Sequence, residues 1–200
     1  MKKIIFATGN KDKMKEIRMI LADLGMEVLS QKEAGIFADV VEDGKTFEEN
    51  AIKKAKEIYE KTKIPTLADD SGIEIQYLNG WPGVMTSRFL GEDKTGNEYA
   101  TERNKYILDK MKKLNKEERK VKHVTCIAYC DSNGVRVARG ENIGYIALSP
   151  KGKNGFGFDE IFELEDGRTL AELDVEEKNK ISSRKLALNK LKEYLGRDNK

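Results

Sequence analysis

The sequence has a single histidine, two cysteines and three prolines in 200 residues. It also has almost no net charge, because 37 Lys and Arg face 35 Asp and Glu for a formal +2. Each scarcity removes a class of function. One histidine excludes an intramolecular multi-histidine metal site. Balanced charge gives no chain-wide affinity for a polyanion and disfavours a general nucleic-acid binder. Cys126 and Cys130 sit in a β-branched and aromatic stretch. On a strand their Cα atoms would stand about 13 Å apart, beyond disulfide reach. They read as buried thiols of a reducing compartment. Long hydrophobic runs are absent too. Ile4–Ala7 is too short for the apolar region of a signal peptide, and no later segment is long enough to span a bilayer. With a mean hydropathy of −0.64, the expectation is a cytoplasmic protein with neither membrane nor nucleic acid as partner.

No repeat, low-complexity tract or Pro/Ser-rich linker divides the chain, so one domain over residues 1–200 is expected. Ile4–Ala7 reads as a buried strand ended by Thr8-Gly9-Asn10, followed by a helix from about Lys11 to Leu24 and a short strand near Glu27–Leu29. Residues 36–45 read as loop or edge strand. A second helix spans about Thr46–Lys61, with Thr46 and Glu49 spaced as a capping box. Pro65 opens a strand reaching Ala68, Asp69-Asp70-Ser71-Gly72 has the composition of a turn, and Ile73–Leu78 alternates like a strand. Residues 96–113 look helical, 120–131 and 135–148 form a hairpin about Asp131–Gly134, and a last helix covers about Glu176–Leu195. Strands and helices alternate early and long antiparallel strands come late. This gives a mixed α/β fold around a twisted sheet flanked by helices.

Among so many charges, the informative ones fall on predicted core faces. Met14, Ile17, Ile20, Leu21 and Leu24 share one arc of the first helix, and Lys13 lies inside it, whereas Lys11, Lys15 and Glu16 point away. A cation in a first helical turn opposes the dipole unless an anion binds there; a lysine snorkelling from a helix end fits equally well. Thr8-Gly9-Asn10 forms a glycine-containing strand-to-helix turn, which suits an anion, although the P-loop spacing is missing. In the second helix Asn50 and Lys54 flank the apolar stripe of Phe47, Ala51, Ala55 and Ile58, while Lys53 faces solvent. In the last helix Arg184 falls among Ile181, Ala187, Leu188, Leu191 and Leu195. It needs a carboxylate or a phosphate there, and a structural salt bridge and a ligand contact are evenly matched. Lys178, predicted on the same helix, reaches the same anion or solvent.

The carboxylates carry a similar ambiguity. Asp69-Asp70 and Glu42-Asp43 are compatible with Mg²⁺, which takes few protein carboxylates plus phosphate and water, but both sit in good turn sequences. The run Gly155-Phe156-Gly157-Phe158-Asp159 offers two aromatics for stacking and an acid for a base edge, or a plain flexible loop. His123 beside Val124 reads as packing. Cations placed to meet phosphate, metal-type carboxylates and an aromatic glycine loop together suggest a nucleotide phosphate hydrolase.

As an ordered set these motifs resemble the inosine/xanthosine triphosphate pyrophosphatase family. The matching pieces are Thr8-Gly9-Asn10-x-x-Lys13, Thr46-Phe47-x-Glu49-Asn50-Ala51-x-x-Lys54, Ala68-Asp69-Asp70-Ser71-Gly72, Gly80-Trp81-Pro82-Gly83-Val84 with Ser87-Arg88-Phe89, Gly155–Asp159, and Glu177-Lys178-Asn179-x-Ile181-Ser182 with Arg184. The resemblance implies two lobes on an elongated mixed sheet with a nucleotide cleft between them. It further implies a homodimer and Mg²⁺-dependent conversion of ITP, dITP or XTP to the monophosphate and pyrophosphate. By position, Asp70 would be general base and metal ligand, Glu42 the second metal carboxylate, and Asp69 an assistant. Thr8, Gly9, Asn10, Lys13, Lys54 and Ser71 would hold the triphosphate. Lys178 and Arg184 would lie near the purine, with Phe156, Gly157, Phe158 and Asp159 in the base pocket. Two positions depart from the family's habit: Ser183 replaces a usual histidine that would contact the base, keeping one shorter hydrogen-bond donor toward the substrate and exposing base specificity to change, and Phe158 replaces a common tyrosine. The rivals are a pyrophosphatase of different base preference and a non-catalytic nucleotide-binding module of the same fold. The presence of Glu42, Asp69 and Asp70 argues against the second.

Overall fold

Among the described residues, six strands and five α-helices follow in the order β1 Lys3–Phe6, α1 Lys11–Leu21, β2 Glu27–Ser30, α2 Phe47–Thr62, β3 Thr66–Ile75, α3 Ala100–Met111, β4 Lys120–Asp131, β5 Gly134–Ile146, β6 Phe162–Glu163, α4 Val175–Ile181 and α5 Ser183–Leu195. The structure is a computed structural model that describes residues 2–37, 40–91, 94 and 96–195. The strands form one sheet in the order β2-β1-β3-β4-β5-β6. β1 runs parallel to both β2 and β3, with Ile4 opposite Val28 and Phe6 opposite Leu67. β6 is antiparallel to β5, so the sheet is mixed. No helix among the described residues is long and apolar enough to cross a membrane.

The chain groups into two compact units, each assembled from separated stretches. The first runs to Ser71, takes in Thr125–Gly140 and resumes at Ser183; the second comprises Gly72–Val124 and Glu141–Ser182. The first unit is centred on Ile4, Phe6, Ile17, Leu21, Leu67, Ile127, Tyr129, Leu188 and Leu191. The second is centred on Ile73, Ile75, Ile107, Met111, Val121, Ile146, Phe162 and Leu170, with Trp81, Phe89 and Phe158 packed against it. Cys126 and Cys130 are free and buried on β4, as their spacing requires. His123 sits on the same strand, its ring 6.0 Å from that of Phe162, in keeping with a packing role.

Helix starts follow their sequence signals. Asn10 caps α1, Thr46 and Glu49 close a capping box on α2, and Asp174 with Glu177 does the same for α4. The first helix ends at Leu21 rather than Leu24; a 3₁₀ turn over Ala22–Leu24 tightens it before Gly25 at φ 61°. The helix expected over 96–113 is a 3₁₀ turn at Asn97–Tyr99 followed by α3. Residues 36, 37 and 40–45 form loop, with positions 38 and 39 outside the described residues.

Three further expectations of secondary structure fail. The strand read over Ile73–Leu78 stops at Ile75, and Gln76–Leu78 form a 3₁₀ turn closed by Asn79 at φ 52°. Asp69-Asp70-Ser71-Gly72 is not a turn but the middle of β3, which runs unbroken to Ile75. Both flanks of the tetrapeptide are apolar and buried, β1 pairs with Thr66 and Leu67 just before it, and β4 is the next strand of the sheet, so tertiary context overrides local turn preference. Gly72 is there for close approach: a Cβ would lie 2.3 Å from Thr86 Oγ1 and 2.9 Å from the Gly83 carbonyl. The last helix is also two helices. Ser182 adopts an extended conformation, φ −61° and ψ 140°, so Lys178 on α4 and Arg184 on α5 do not share a helix. Gly72→Ala should therefore cost about 1–3 kcal/mol through overpacking against backbone, read as a lower urea midpoint with an unchanged slope.

Candidate active site

In the first unit, α1, α2, β3, α5 and the loop before α2 bring charged side chains together. At the start of α1, Thr8 Oγ1 accepts from the Asn10 N–H at 3.2 Å. Asn10 Oδ1 accepts from the N–H groups of Asp12 and Lys13 at 2.9 and 3.1 Å. These side chains thus cap amides that the sequence had assigned to an anion. Lys13 Nζ lies 3.2 Å from Asp69 Oδ2 and 3.3 Å from Oδ1. It is an ion-paired lysine rather than a snorkelling one.

Arg184 is 3% exposed and Asp69 1%. The guanidinium donates through Nε at 3.1 Å and Nη2 at 2.7 Å to Asp69 Oδ2, and through Nη1 to Glu16. Ser71 Oγ lies 3.5 Å from Nη2. The salt bridge read for Arg184 is present, its guanidinium bonded to two protein carboxylates. Glu16, expected to point away from the core, is buried as the second anion of this arrangement. Its partner lies 168 residues away, so no local periodicity could reveal it.

Asp70 lies on the same strand one residue on, where side chains alternate in direction. Its Oδ2 accepts from Asn50 Nδ2 at 2.8 Å and its Oδ1 from the Ser71 N–H at 2.9 Å. Lys54, one turn after Asn50, donates to Glu42 Oε1 at 2.7 Å and to the Asp69 carbonyl at 2.5 Å. Lys53 faces outward as expected and pairs with exposed Asp43. The two neighbouring acids titrate in opposite directions. Burial alone would raise Asp69, but Lys13, Arg184 and Lys54 outweigh it and hold the carboxyl well below the usual range. Burial raises Asp70, Glu42's charge raises it further, and Lys54, Lys13 and the Asn50 hydrogen bond only partly oppose this. Lys54 is held above the ordinary lysine value: burial disfavours its charge, but Glu42, Asp70 and Asp69 prevail.

Among the described residues no group of three or more His, Cys, Asp or Glu gathers as a metal site. Glu42 and Asp70 nevertheless suit Mg²⁺. Glu42's negative charge raises the Asp70 carboxyl, a repulsion that a divalent cation would relieve, and Mg²⁺ needs only one or two protein carboxylates when phosphate completes its shell. Asp69 is saturated by cations and does not suit that role.

The second unit carries a separate cluster. Asp159 Oδ2 accepts from the Phe156 N–H at 2.7 Å and from Lys178, whose ammonium stands 4.7 Å from the Phe156 ring centroid. Asn104 on α3 donates to the Gly157 carbonyl at 3.1 Å and anchors the loop. Phe158 packs against the core of this unit, and Phe156 stands beside the Lys178 ammonium. Ser183 belongs to the first unit and is buried; its Oγ lies 2.7 Å from Thr125 Oγ1. Its hydroxyl therefore bonds a protein partner, which departs from the base contact expected at that position. Neither Asn104 nor Thr125 had a sequence signal of its own.

Arg184→Met should take the guanidinium from two buried carboxylates, Glu16 and Asp69, the latter keeping its Lys13 ion pair, and destabilise the fold by about 3–5 kcal/mol, measured by urea unfolding. The sign with pH follows from Asp69. A carboxyl depressed in the folded state contributes stability that is complete above its unfolded value near 3.8 and is lost as pH falls toward the folded value. Asp69→Asn should accordingly flatten the acid limb of stability against pH.

The chain matches the Ham1 family over residues 4–194. A dITP/XTP pyrophosphatase of Clostridium perfringens is 43% identical over 203 aligned residues, covering 98% of each chain. The dITP/XTP pyrophosphatase of Haemophilus influenzae is 43% identical over 198, covering 96% of this chain and 98% of that protein. Among solved structures, a HAM1 protein from Coxiella burnetii matches with a TM-score of 0.85 at 39% identity over 98% of both chains. The Staphylococcus aureus Ham1 protein matches at 0.82 and 35%, over 97% of this chain and 98% of that one. Agreement of this extent, over nearly the whole of each chain, means that the protein belongs to the Ham1 family.

Proposed function

We propose that this protein is a pyrophosphatase that hydrolyses non-standard purine nucleoside triphosphates (dITP, ITP and XTP) to the monophosphate and pyrophosphate. The observation that carries the reading is Asp70, a buried carboxyl with a raised pKa, held by Asn50 and flanked by Glu42 and Lys54. A carboxylate shifted upward is a stronger base toward water than a free one. Hydrolysis of the bond between the nucleoside phosphate and the departing pyrophosphate needs one water positioned and deprotonated, and charge neutralised on the leaving group. Asp70 takes the water proton. Lys13 and Lys54 supply positive charge to the phosphates, with Thr8, Asn10 and Ser71 as hydrogen-bond donors beside them. Glu42 and Asp70 would hold Mg²⁺, which when bound neutralises phosphate charge.

Base recognition is assigned to the second unit's cluster. Phe156 offers a stacking face and Lys178 a donor to a 6-keto oxygen, while Asp159 accepts from the ring N–H. A 6-amino purine reverses donor and acceptor at the same edge, and a mismatch that leaves buried polar groups unpaired discriminates strongly. A homodimer in the cytoplasm completes the reading, and light scattering measures the oligomer.

The test is a panel of dITP, ITP, XTP, dUTP, ATP and GTP with Mg²⁺, detecting pyrophosphate separately from phosphate. Pyrophosphate release from dITP, ITP and XTP at least 10²-fold faster than from ATP or GTP is the expected outcome; comparable turnover of ATP would overturn the substrate reading, and comparable turnover of GTP, which shares the 6-keto edge, would overturn its restriction to non-standard purines. Asp70→Asn should fold and lose about 10²–10⁴-fold in kcat. Near-full turnover in that variant would remove Asp70 as the base.

A further inference from the structure

Asn50 is fully buried on a helix whose other inward positions are apolar, Phe47, Ala51, Ala55 and Ile58. A buried amide is costly unless each of its groups is bonded. Both functions are met at short range: Oδ1 accepts from the Gly44 N–H at 2.8 Å, and Nδ2 donates to Asp70 Oδ2 at 2.8 Å. The orientation is forced, because a backbone N–H can only donate and a carboxylate can only accept. Gly44 is fitted to this contact, since a Cβ there would stand 2.6 Å from Asn50 Oδ1. The rest of the loop is tied to the same turn of α2: Glu49 accepts from the N–H groups of Lys45 and Thr46 at 2.6 and 3.3 Å. Glu42 lies two residues before Gly44 and pairs with Lys54, one helical turn beyond Asn50.

We propose that Asn50 is a positioning residue that sets Asp70 and, through Gly44, the loop bearing Glu42 in fixed relation to one another. This rests on the function proposed above, in which Asp70 takes the water proton and both carboxylates hold Mg²⁺. One side chain then governs the orientation of the base and the separation of two like charges. Lys54 supplies the counter-charge; Asn50 supplies the geometry. Asparagine fits where aspartate does not, because an acid could keep the Gly44 bond but would set a third negative charge against Asp70.

Asn50→Ala removes both bonds, and Asn50→Asp keeps the Gly44 acceptor while removing the donor to Asp70. Each is compared with wild type and with Ile58→Val, a control for general loss of stability on the same helix. Turnover of dITP gives kcat and KM, and thermal melting with Mg²⁺ alone as the probe gives a readout independent of activity. The expected result is a fall in kcat of about 10–100-fold in both Asn50 variants, with KM within about threefold of wild type. In Asn50→Ala the Mg²⁺ concentration needed for half of the melting shift should rise by a similar factor. The proposal is overturned if a folded Asn50 variant keeps kcat within twofold, or if Ile58→Val shows the same loss of kcat. Should Asn50→Ala not fold, Asn50→Asp decides the kcat arm. Absence of pyrophosphate release by wild type would instead refute the function. The Mg²⁺ melting arm would still report on Asn50, and an unchanged Mg²⁺ midpoint in a folded variant would overturn its role.

Discussion

Arg184 stands in the first turn of α5, and charge draws three residues of two elements onto it: Asp69 of β3, Glu16 of α1, and Lys13 of α1 through Asp69. Burying an arginine among apolar side chains such as Ala187 and Leu188 is unfavourable unless its donors are met. Here two N–H groups converge on one oxygen of Asp69 and a third reaches Glu16. The arrangement ties the start of a helix to the middle of a strand 115 residues earlier in the chain. It also determines what each of two adjacent acids is free to do. Because strand side chains alternate, Asp69 is turned to Lys13 and Arg184 while Asp70 is turned to Asn50. One carboxylate becomes a fixed anion that organises cations, and the other keeps lone pairs for chemistry.

The divergence of the two acids has identifiable causes. Both are buried, and burial raises both. Asp69 has cations on its carboxylate and ends well below the ordinary value, whereas Asp70 has Glu42's charge added to burial and ends above it. Environments that push neighbouring groups apart are how a single fold keeps a permanently charged residue beside a proton acceptor. The same logic explains Lys54, whose ammonium stays protonated among Glu42, Asp70 and Asp69 despite burial. A cation fixed by three acids is a stable electrostatic feature, so it is present before any phosphate arrives.

Much of this was legible because helix periodicity and capping are local. Lys13 and Arg184 stood out as charges in apolar arcs, and both prove to be held by buried acids. Thr46 and Glu49 announced the start of α2 correctly. What could not be read depended on partners distant in sequence. Asp-Asp-Ser-Gly is good turn chemistry in isolation and becomes strand only because sheet neighbours and remote counter-charges complete it. Glu16 looked solvated because the helical wheel of α1 knows nothing of α5. The break at Ser182 was hidden because apolar residues continue on either side of it, and a continuous-looking stripe placed Lys178 and Arg184 on one helix when they belong to two.

The serine that replaces the family's usual histidine can be understood in the same terms. An imidazole at position 183 would offer a long, titratable donor, whereas the hydroxyl is short and finds Thr125 within the first unit's interior. Two hydroxyls can satisfy each other where a ring would need space or solvent. Under the proposed function, discrimination at the base then falls to Asp159 and Lys178, already bonded to each other and to the loop carrying Phe156. A purine meeting that loop must share Lys178 with both the carboxylate and the aromatic face. Only a base that returns an acceptor to the ammonium and a donor to Asp159 restores the interactions it disturbs, and a 6-keto purine carries both on adjacent atoms. Selectivity in this arrangement comes from replacing an existing bonded pair atom for atom, so it does not require a histidine at position 183.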